Sequence, residues 1–349
     1  MGGTDINSFF IDTPVADAGM RRMADGSPRK IDCHVHLLGD GSSGSGCWLR
    51  MRTPIHRLMA RIIVRECGLP QSALKKGLDE ILEERLAGMV RESSLDAVIL
   101  LAQDLPHHDD GTPLPEKGAF HVPNTHLLEV CARYPDLFLP AVSIHPGRRD
   151  ALAELERCLA AGARVLKLLP NCLNVDYSDP RYLPFWRMMA RHRMILLSHT
   201  GGELSLPVME HRFADPRLLV HPLECGVTVI AAHCAGRSGL WDADYTTELL
   251  KMFEKWPHLY GDNSALNSPV RARTLRKILP QPVRDRIVHG SDFPIAVGGF
   301  GPWRMGLIDG ETWQLAKREP NVLERDLMLK RAVGFDDTQL TRMHHLLQG

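Results

Sequence analysis

Along the chain, short runs of aliphatic and β-branched residues alternate with stretches whose apolar residues recur at helical spacing. Eight such runs stand out: RKIDCHVHL from Arg29, DAVILLAQD from Asp96, LFLPAVSIHP from Leu137, ARVLKLLP from Ala163, MILLSHTG from Met194, VTVIAAHCAG from Val227, LYGDNSAL from Leu259 and RIVHGSDFPI from Arg286. Helical spacing falls at residues 71–93, 123–133, 150–161, 179–191, 244–256 and 270–279, several of which open on Asp or Pro. Strand followed by helix, repeated, calls for parallel strands joined by right-handed crossovers, and eight such units closing on themselves predict an α/β fold of the (β/α)8 TIM-barrel type. An open doubly wound sheet is the competitor. It is disfavoured because no G-x-G-x-x-G follows the first strand and because polar residues recur at the C-terminal ends of many strands.

Three connections are longer than a minimal barrel needs: 39–53, 105–122 and 201–216. Each follows a strand, so each belongs to the rim of the catalytic face, where long loops act as lids or substrate walls. The first has a GDGSSGSG core, is expected to be mobile, and is followed by two helices before the second strand. Residues 303–348 read as terminal helices covering the barrel, residues 1–28 as an N-terminal arm, and 29–349 as a single domain.

Composition narrows the classes. The 349 residues are 44% hydrophobic and 24% charged, enough for a large core and incompatible with wholesale disorder. Forty-two basic residues balance 42 acidic ones, so no global field draws the chain to nucleic acid or to an acidic membrane. No apolar run approaches the roughly 20 residues of a membrane span, and the first 28 residues lack the apolar stretch of a secretory signal. Eight cysteines without a C-x-x-C pair read as packed, reduced thiols, which places the chain in the cytoplasm. A small-molecule partner fits this picture, and so does a homo-oligomer.

The chemistry starts at Asp32-Cys33-His34-Val35-His36, closing the first strand. On a regular strand His34 and His36 project together while Cys33 and Val35 face the other way, and two neutral imidazoles so placed chelate a divalent ion. Seventeen histidines make chance pairs common, so the pair alone is a weak signal. More matches: His199 ends one apolar run as ILLSHTGG, His233 ends the next as VIAAHCAG, and Asp292 follows the last in IVHGSDFP. Each taken singly reads as a satisfied strand-end residue or a helix cap.

Jointly, H-x-H on strand one, His on strands five and six and Asp on strand eight resemble the metal-dependent barrels of the amidohydrolase superfamily. The IDCHVH opening, the Lys in VLKLLP and the SHTGG, AAHCAG, GDNSAL and GSDFP segments are similar to its amidohydrolase-related branch of decarboxylases and hydrolases. The resemblance spans Ile31 to about Pro294. It implies His34, His36, His199 and Asp292 as ligands of one metal ion, with zinc the best fit to three imidazoles and a carboxylate, and His233 beside the ion's water or the substrate. Lys167 on strand four should enter the barrel and need a charge partner. In binuclear relatives a lysine there is carboxylated and bridges a second metal, while this chain's Lys167-Leu168-Leu169-Pro170 departs from the branch's usual sequence, which has a His before the Pro.

His145, Arg237 and Asn263, with Asp262 and Arg148 behind them, are candidates for substrate contact. His107-His108-Asp109-Asp110 reads as a solvated loop. The implied reaction is hydrolysis of an amide, lactone or other ester, in which a metal lowers the pKa of water from about 15.7 to near 7. Asp292 would move the proton and His233 would stabilise the oxyanion. The alternatives are non-oxidative decarboxylation of an aromatic or unsaturated acid, and a non-catalytic barrel with a vestigial metal site.

Overall fold

Each of the eight aliphatic runs supplies one strand of a single parallel sheet in the computed structural model, which describes residues 23, 25–50, 54–70, 72, 77–239, 241–295 and 297–349. We label these strands β1 (Ile31–His36), β2 (Ala97–Leu101), β3 (Phe138–Val142), β4 (Val165–Leu168), β5 (Ile195–Ser198), β6 (Val229–Ala231), β7 (Leu259–Asp262) and β8 (Ile287–Val288). They are hydrogen-bonded in chain order. The chain beyond β8 returns to β1 through Cys33 N–H to His289 O (2.9 Å), Asp292 N–H to His34 O (2.9 Å) and His36 N–H to Phe293 O (2.8 Å), which nearly closes the barrel.

Helices Asn124–Arg133, Ala151–Ala160, Leu183–Arg191, Thr246–Lys255 and Ala272–Ile278 fall inside the predicted spans. Of the span predicted from 71 to 93, the helix is Asp79–Arg91, and residues 71 and 73–76 lie outside the described residues, as do 1–22 and 24 of the arm. Apolar side chains sort by strand face into two clusters. Ile31, Ile99, Leu139, Val165, Leu197, Ile230 and Val288 fill the barrel interior, plugged below by Met343 of the C-terminal helix Asp337–Gln348. Val98, Leu100, Leu166, Leu196 and Val229 pack outward on the helices. Burial of side chains of this size stabilises by about 1.5–3 kcal/mol each.

β1 departs from simple alternation. Its register against β2 shifts between Asp32 and Val35. Cys33 therefore joins Ile31 in the interior cluster while Val35 packs outward, so the two do not share a face as a regular strand would require. An irregularity of this kind consumes one step of the alternation and re-aims the residues after it; here they are His34 and His36, both of which line the barrel mouth.

The Gly/Ser-rich loop is also organised rather than loose. It wraps the Asp79 carboxylate, which accepts from the backbone N–H of Asp40 (2.7 Å), Gly41 (3.1 Å) and Ser43 (3.1 Å) and from the hydroxyls of Ser43 and Ser45 (2.7 Å each). Gly41 takes φ +80°, where a side chain would be strained. A short antiparallel ribbon, Trp48–Leu49 with Phe120–His121, then ties this loop to the 105–122 connection. With helix Pro54–Glu66 it forms one wall of the mouth. Among the described residues no helix is long and apolar enough to cross a membrane. All eight cysteines carry free thiols, seven of them buried.

Candidate active site

The C-terminal ends of the strands open into a cavity of about 310 Å³ whose floor is formed by His34, His36, Lys167, His199, His233 and Asp292. β4 delivers Lys167 and the end of β5 delivers His199 by alternation, and the register shift in β1 aims His34 and His36. The other two need special backbone. His233, Cys234 and Ala235 take φ of +58°, +47° and +55°, and Asp292 takes +67°. Left-handed geometry costs a non-glycine residue roughly 1–2 kcal/mol. At 233 the alternation from Ile230 and Ala232, both interior, would send the side chain outward, and the left-handed turn brings it back over the mouth.

Asp262, at the end of β7, organises two of the imidazoles. Its Oδ2 lies 2.8 Å from His34 Nδ1, while Oδ1 accepts from the backbone N–H groups of His233 (2.7 Å) and Ser264 (3.0 Å) and from the Ser264 hydroxyl. An ionised carboxylate only accepts, so the proton of His34 sits on Nδ1. The Ser264 proton is committed to Asp262, so its oxygen, 2.8 Å from His233 Nδ1, accepts from that nitrogen. Both rings therefore present an Nε2 lone pair. Burial opposes ionisation of Asp262, but His34, His233 and Ser264 outweigh it and hold the carboxyl well below the ordinary range.

One donor atom each from His34, His233 and Asp292 lie within 4.8 Å of one another. Asp292 Oδ1 is 3.2 Å from His34 Nε2 and 3.5 Å from His36 Nε2. Burial again opposes its charge, and His34, His36 and Lys167 reverse the balance, keeping it ionised. The His199 ring stands 5.0 Å from that of His233, and its buried Nε2 has no hydrogen-bond partner. Burial keeps His36 neutral, with its pKa lowered to about 4, and pushes His199 and His233 well below the usual imidazole value. Neutral imidazoles beside an ionised carboxylate are the protonation states that a divalent cation requires. The five residues foreseen for the metal and its chemistry thus share one floor, with His233 in the tightest grouping.

Lys167 Nζ lies 3.0 Å from His34 Nε2. Burial lowers its pKa to about 8, against the attraction of Asp292 and Asp262. The remaining sequence candidates sit elsewhere. Asn263 is buried behind the floor, accepting from Gly290 N–H (3.1 Å). His145 stacks near His107, ring centroids 4.6 Å apart, and neither lines the cavity. His107 is therefore buried, and the solvated part of its loop is 108–110. Arg148 is engaged by Asp104 and Asp150 at 3.2 and 2.8 Å, and Arg237 lies 4.0 Å from Asp244. Three residues escaped the sequence reading: Ser264, Glu203 and Arg271. Glu203 follows His199 by four positions and reaches within 3.7 Å of it, a proximity that no periodicity signals because the intervening chain is irregular.

The amidohydrolase family profile matches residues 31–317. The chain belongs to the amidohydrolase family. Membership places the chain in a family of metal-dependent enzymes, and the His34, His233 and Asp292 grouping could hold a metal ion. Similar solved structures include an uncharacterised TIM-barrel protein from Bordetella bronchiseptica (19% identity, TM-score 0.54, 87% of this chain and 99% of that one). A probable 2-pyrone-4,6-dicarboxylic acid hydrolase from Acinetobacter baumannii, with citric acid bound, is 14% identical (TM-score 0.51, 88% and 100%). A 2,6-dihydroxybenzoate decarboxylase from Rhizobium is 13% identical (TM-score 0.47, 88% and 98%). At these identities the likeness to the first two speaks for the barrel fold alone. No protein with a curated description matches this amidohydrolase.

Proposed function

We propose that this amidohydrolase is a metal-dependent hydrolase that uses water to cleave an amide, lactone or other ester bond of a small molecule. The observation that carries the proposal is the convergence of His34, His233 and Asp292 donor atoms, within 4.8 Å of one another, on the floor of a cavity wide enough for a substrate. The residues fit a divalent ion: two Nε2 lone pairs with fixed tautomers, one ionised carboxylate, and the orphaned Nε2 of His199 nearby. His36 completes the set. When bound, a zinc ion supplies Lewis acidity and acidifies a coordinated water.

Asp292 is the proton carrier in this reading. Its oxygen is ionised and faces the mouth, so it can take a proton from the attacking water and return it to the leaving group. Asp262 and Ser264 hold the rings of His34 and His233 in register, each with its Nε2 lone pair turned toward the cation. Lys167 competes for the lone pair of His34, and its ammonium offsets a substrate carboxylate when the ring is otherwise engaged. A second reading, non-oxidative decarboxylation, is favoured by the apolar wall above the floor, since a desolvated carboxylate is the more readily lost.

The test is metal analysis of the purified protein together with turnover panels of lactones, amides and esters on one side and aromatic or unsaturated acids on the other. Stoichiometric divalent metal with hydrolysis, abolished by His34→Ala and Asp292→Ala in a folded protein, supports the proposal. Carbon dioxide release without hydrolysis transfers the function to the second reading, and a protein unable to take up metal refutes both.

A further inference from the structure

Arg271 is a buried cation whose charge no neighbour meets directly. It follows β7, lines the cavity and reaches the two loops that carry His199 and His233, donating to the carbonyls of Gly202 (2.8 Å) and Gly236 (3.1 Å). Both acceptors are neutral, and among the described residues the guanidinium stands in no ion pair. Four carboxylates attract it through space, against the effect of burial, and each is already engaged. Glu203 accepts from the N–H groups of Ser205 (2.5 Å) and Leu206 (3.0 Å) with one oxygen and turns the other to His199, 3.7 Å away. Asp242 gathers the N–H and hydroxyl of Ser238 (3.1 and 2.7 Å) and the N–H of Gly239 (2.6 Å). Asp292 and Asp262 belong to the histidine floor.

A guanidinium has five N–H donors in a planar fork that matches a carboxylate edge to edge. At Arg271 two carbonyls fix the plane of that fork and leave its charge unopposed, a costly arrangement for a buried cation. The charges lining the cavity point the same way. Arg50, Lys167 and Arg271 stand against Glu203 and Asp292, so the lining carries one surplus positive charge, which a divalent ion would raise to three, or to two when Asp262 behind the floor is counted. Arg50 donates to the Pro115 carbonyl and lies over the Trp48 ring, and Arg237, beside Asp244, does not line the cavity.

Resting on the metal-dependent reading of the floor, we infer that the substrate carries a second, non-reacting carboxylate and that Arg271 is its receptor. The class is a small acid with a free carboxylate in addition to the bond that is cut, held at two points, the floor and Arg271.

Metal-chelating probes of graded reach test this without knowledge of the reaction. Zinc affinity is first measured by calorimetry on the full chain. The zinc-loaded protein is then titrated with the monohydroxamates of malonic, succinic, glutaric and adipic acid, each beside the same compound with its free acid capped as the primary amide. At the tether that spans the two points, the acid should bind about 10–100-fold more tightly than its amide, the range for a charge-assisted contact. Arg271→Gln should bring that ratio close to one, and Arg50→Gln should leave it in place, with zinc affinity and thermal unfolding reporting that the floor is intact. Should Arg271→Gln not fold, Arg271→Lys, which keeps the charge but lacks the paired donors, should still shrink the ratio severalfold. Acids that bind no better than their amides at every tether overturn the inference, as does a preference that survives the change at Arg271 because Lys167 or Arg50 meets the acid. A wild-type chain that binds no zinc defeats the proposed function and this inference with it, so the first titration tells the two failures apart.

Discussion

Asp262→Asn isolates the residue on which the metal-binding geometry depends, because it removes a charge and one acceptor while preserving shape. The aspartate serves two clients from two oxygens: three donors, from His233 N–H, Ser264 N–H and the Ser264 hydroxyl, meet Oδ1, and His34 Nδ1 meets Oδ2. An asparagine has one oxygen. The side with three donors retains it, and the amide NH2 then faces His34 Nδ1. Two donors cannot share that contact, so the His34 proton moves to Nε2 and removes the lone pair offered to a cation. Loss of a residue that orients a metal-binding histidine weakens affinity about 10–100-fold, or about 1.4–2.7 kcal/mol, and the lost negative charge acts in the same direction. Calorimetric titration of zinc into wild type and variant at one pH measures this, with thermal unfolding as the control for intact structure. A folded Asp262→Asn protein that binds zinc within about threefold of wild type would refute the tautomer argument.

Other expectations follow from the same contacts. Lys167→Met removes the ammonium that shares His34 Nε2, so zinc should bind more tightly with one ion per chain; a stoichiometry that falls from two ions to one would show instead that the lysine bridges metals. Asp79→Asn should cost about 2–4 kcal/mol in denaturant unfolding, since several charge-assisted hydrogen bonds worth about 1.5–3 kcal/mol each are weakened at once. Burial opposes the Asp79 charge, yet Ser45, Ser43 and the loop N–H groups hold its pKa below the ordinary value. Its contribution is therefore complete above an unfolded pKa of about 3.9 and fades as pH falls below it, so the variant should lose that acid sensitivity; an unchanged acid limb counts against the loop's dependence on this carboxylate. Lys330→Met strands the buried Asp326, 2.5 Å away, at a cost of about 3–5 kcal/mol. Adding Asp326→Leu should recover most of it by thermal unfolding, while zinc affinity stays reduced, because Lys330 also donates to the Gly290 carbonyl beside the Asp292 segment.

The barrel was legible because it is written in period: apolar runs two residues in repeat for the strands, 3.6 for the helices, in strict alternation. Pattern put His34, His36, His199, His233 and Asp292 at strand ends, which share one face in a parallel barrel, and it was the family resemblance that joined them into one site. What pattern could not reveal are breaks in period. The register shift between Asp32 and Val35 turns Val35 outward although Ile31 and Cys33 face the interior, and the left-handed turn at His233 reverses its facing. The partner of His34 was hidden for another reason. Asp262 lies 228 positions away in sequence, and its place at a strand end reads equally well as a substrate contact. The glycine-serine loop misled by composition: a flexible-looking string becomes ordered when one distant carboxylate gathers its donors.

The left-handed backbone at His233 and Asp292 has an implication for anyone selecting sturdier variants of this enzyme. Glycine at either position would relieve torsional cost and so pass a heat-tolerance screen with credit, while deleting a reactive side chain. Selection on survival alone would thus drift toward a well-folded, inert barrel, and libraries at these two codons should be sorted on ion uptake before they are heated.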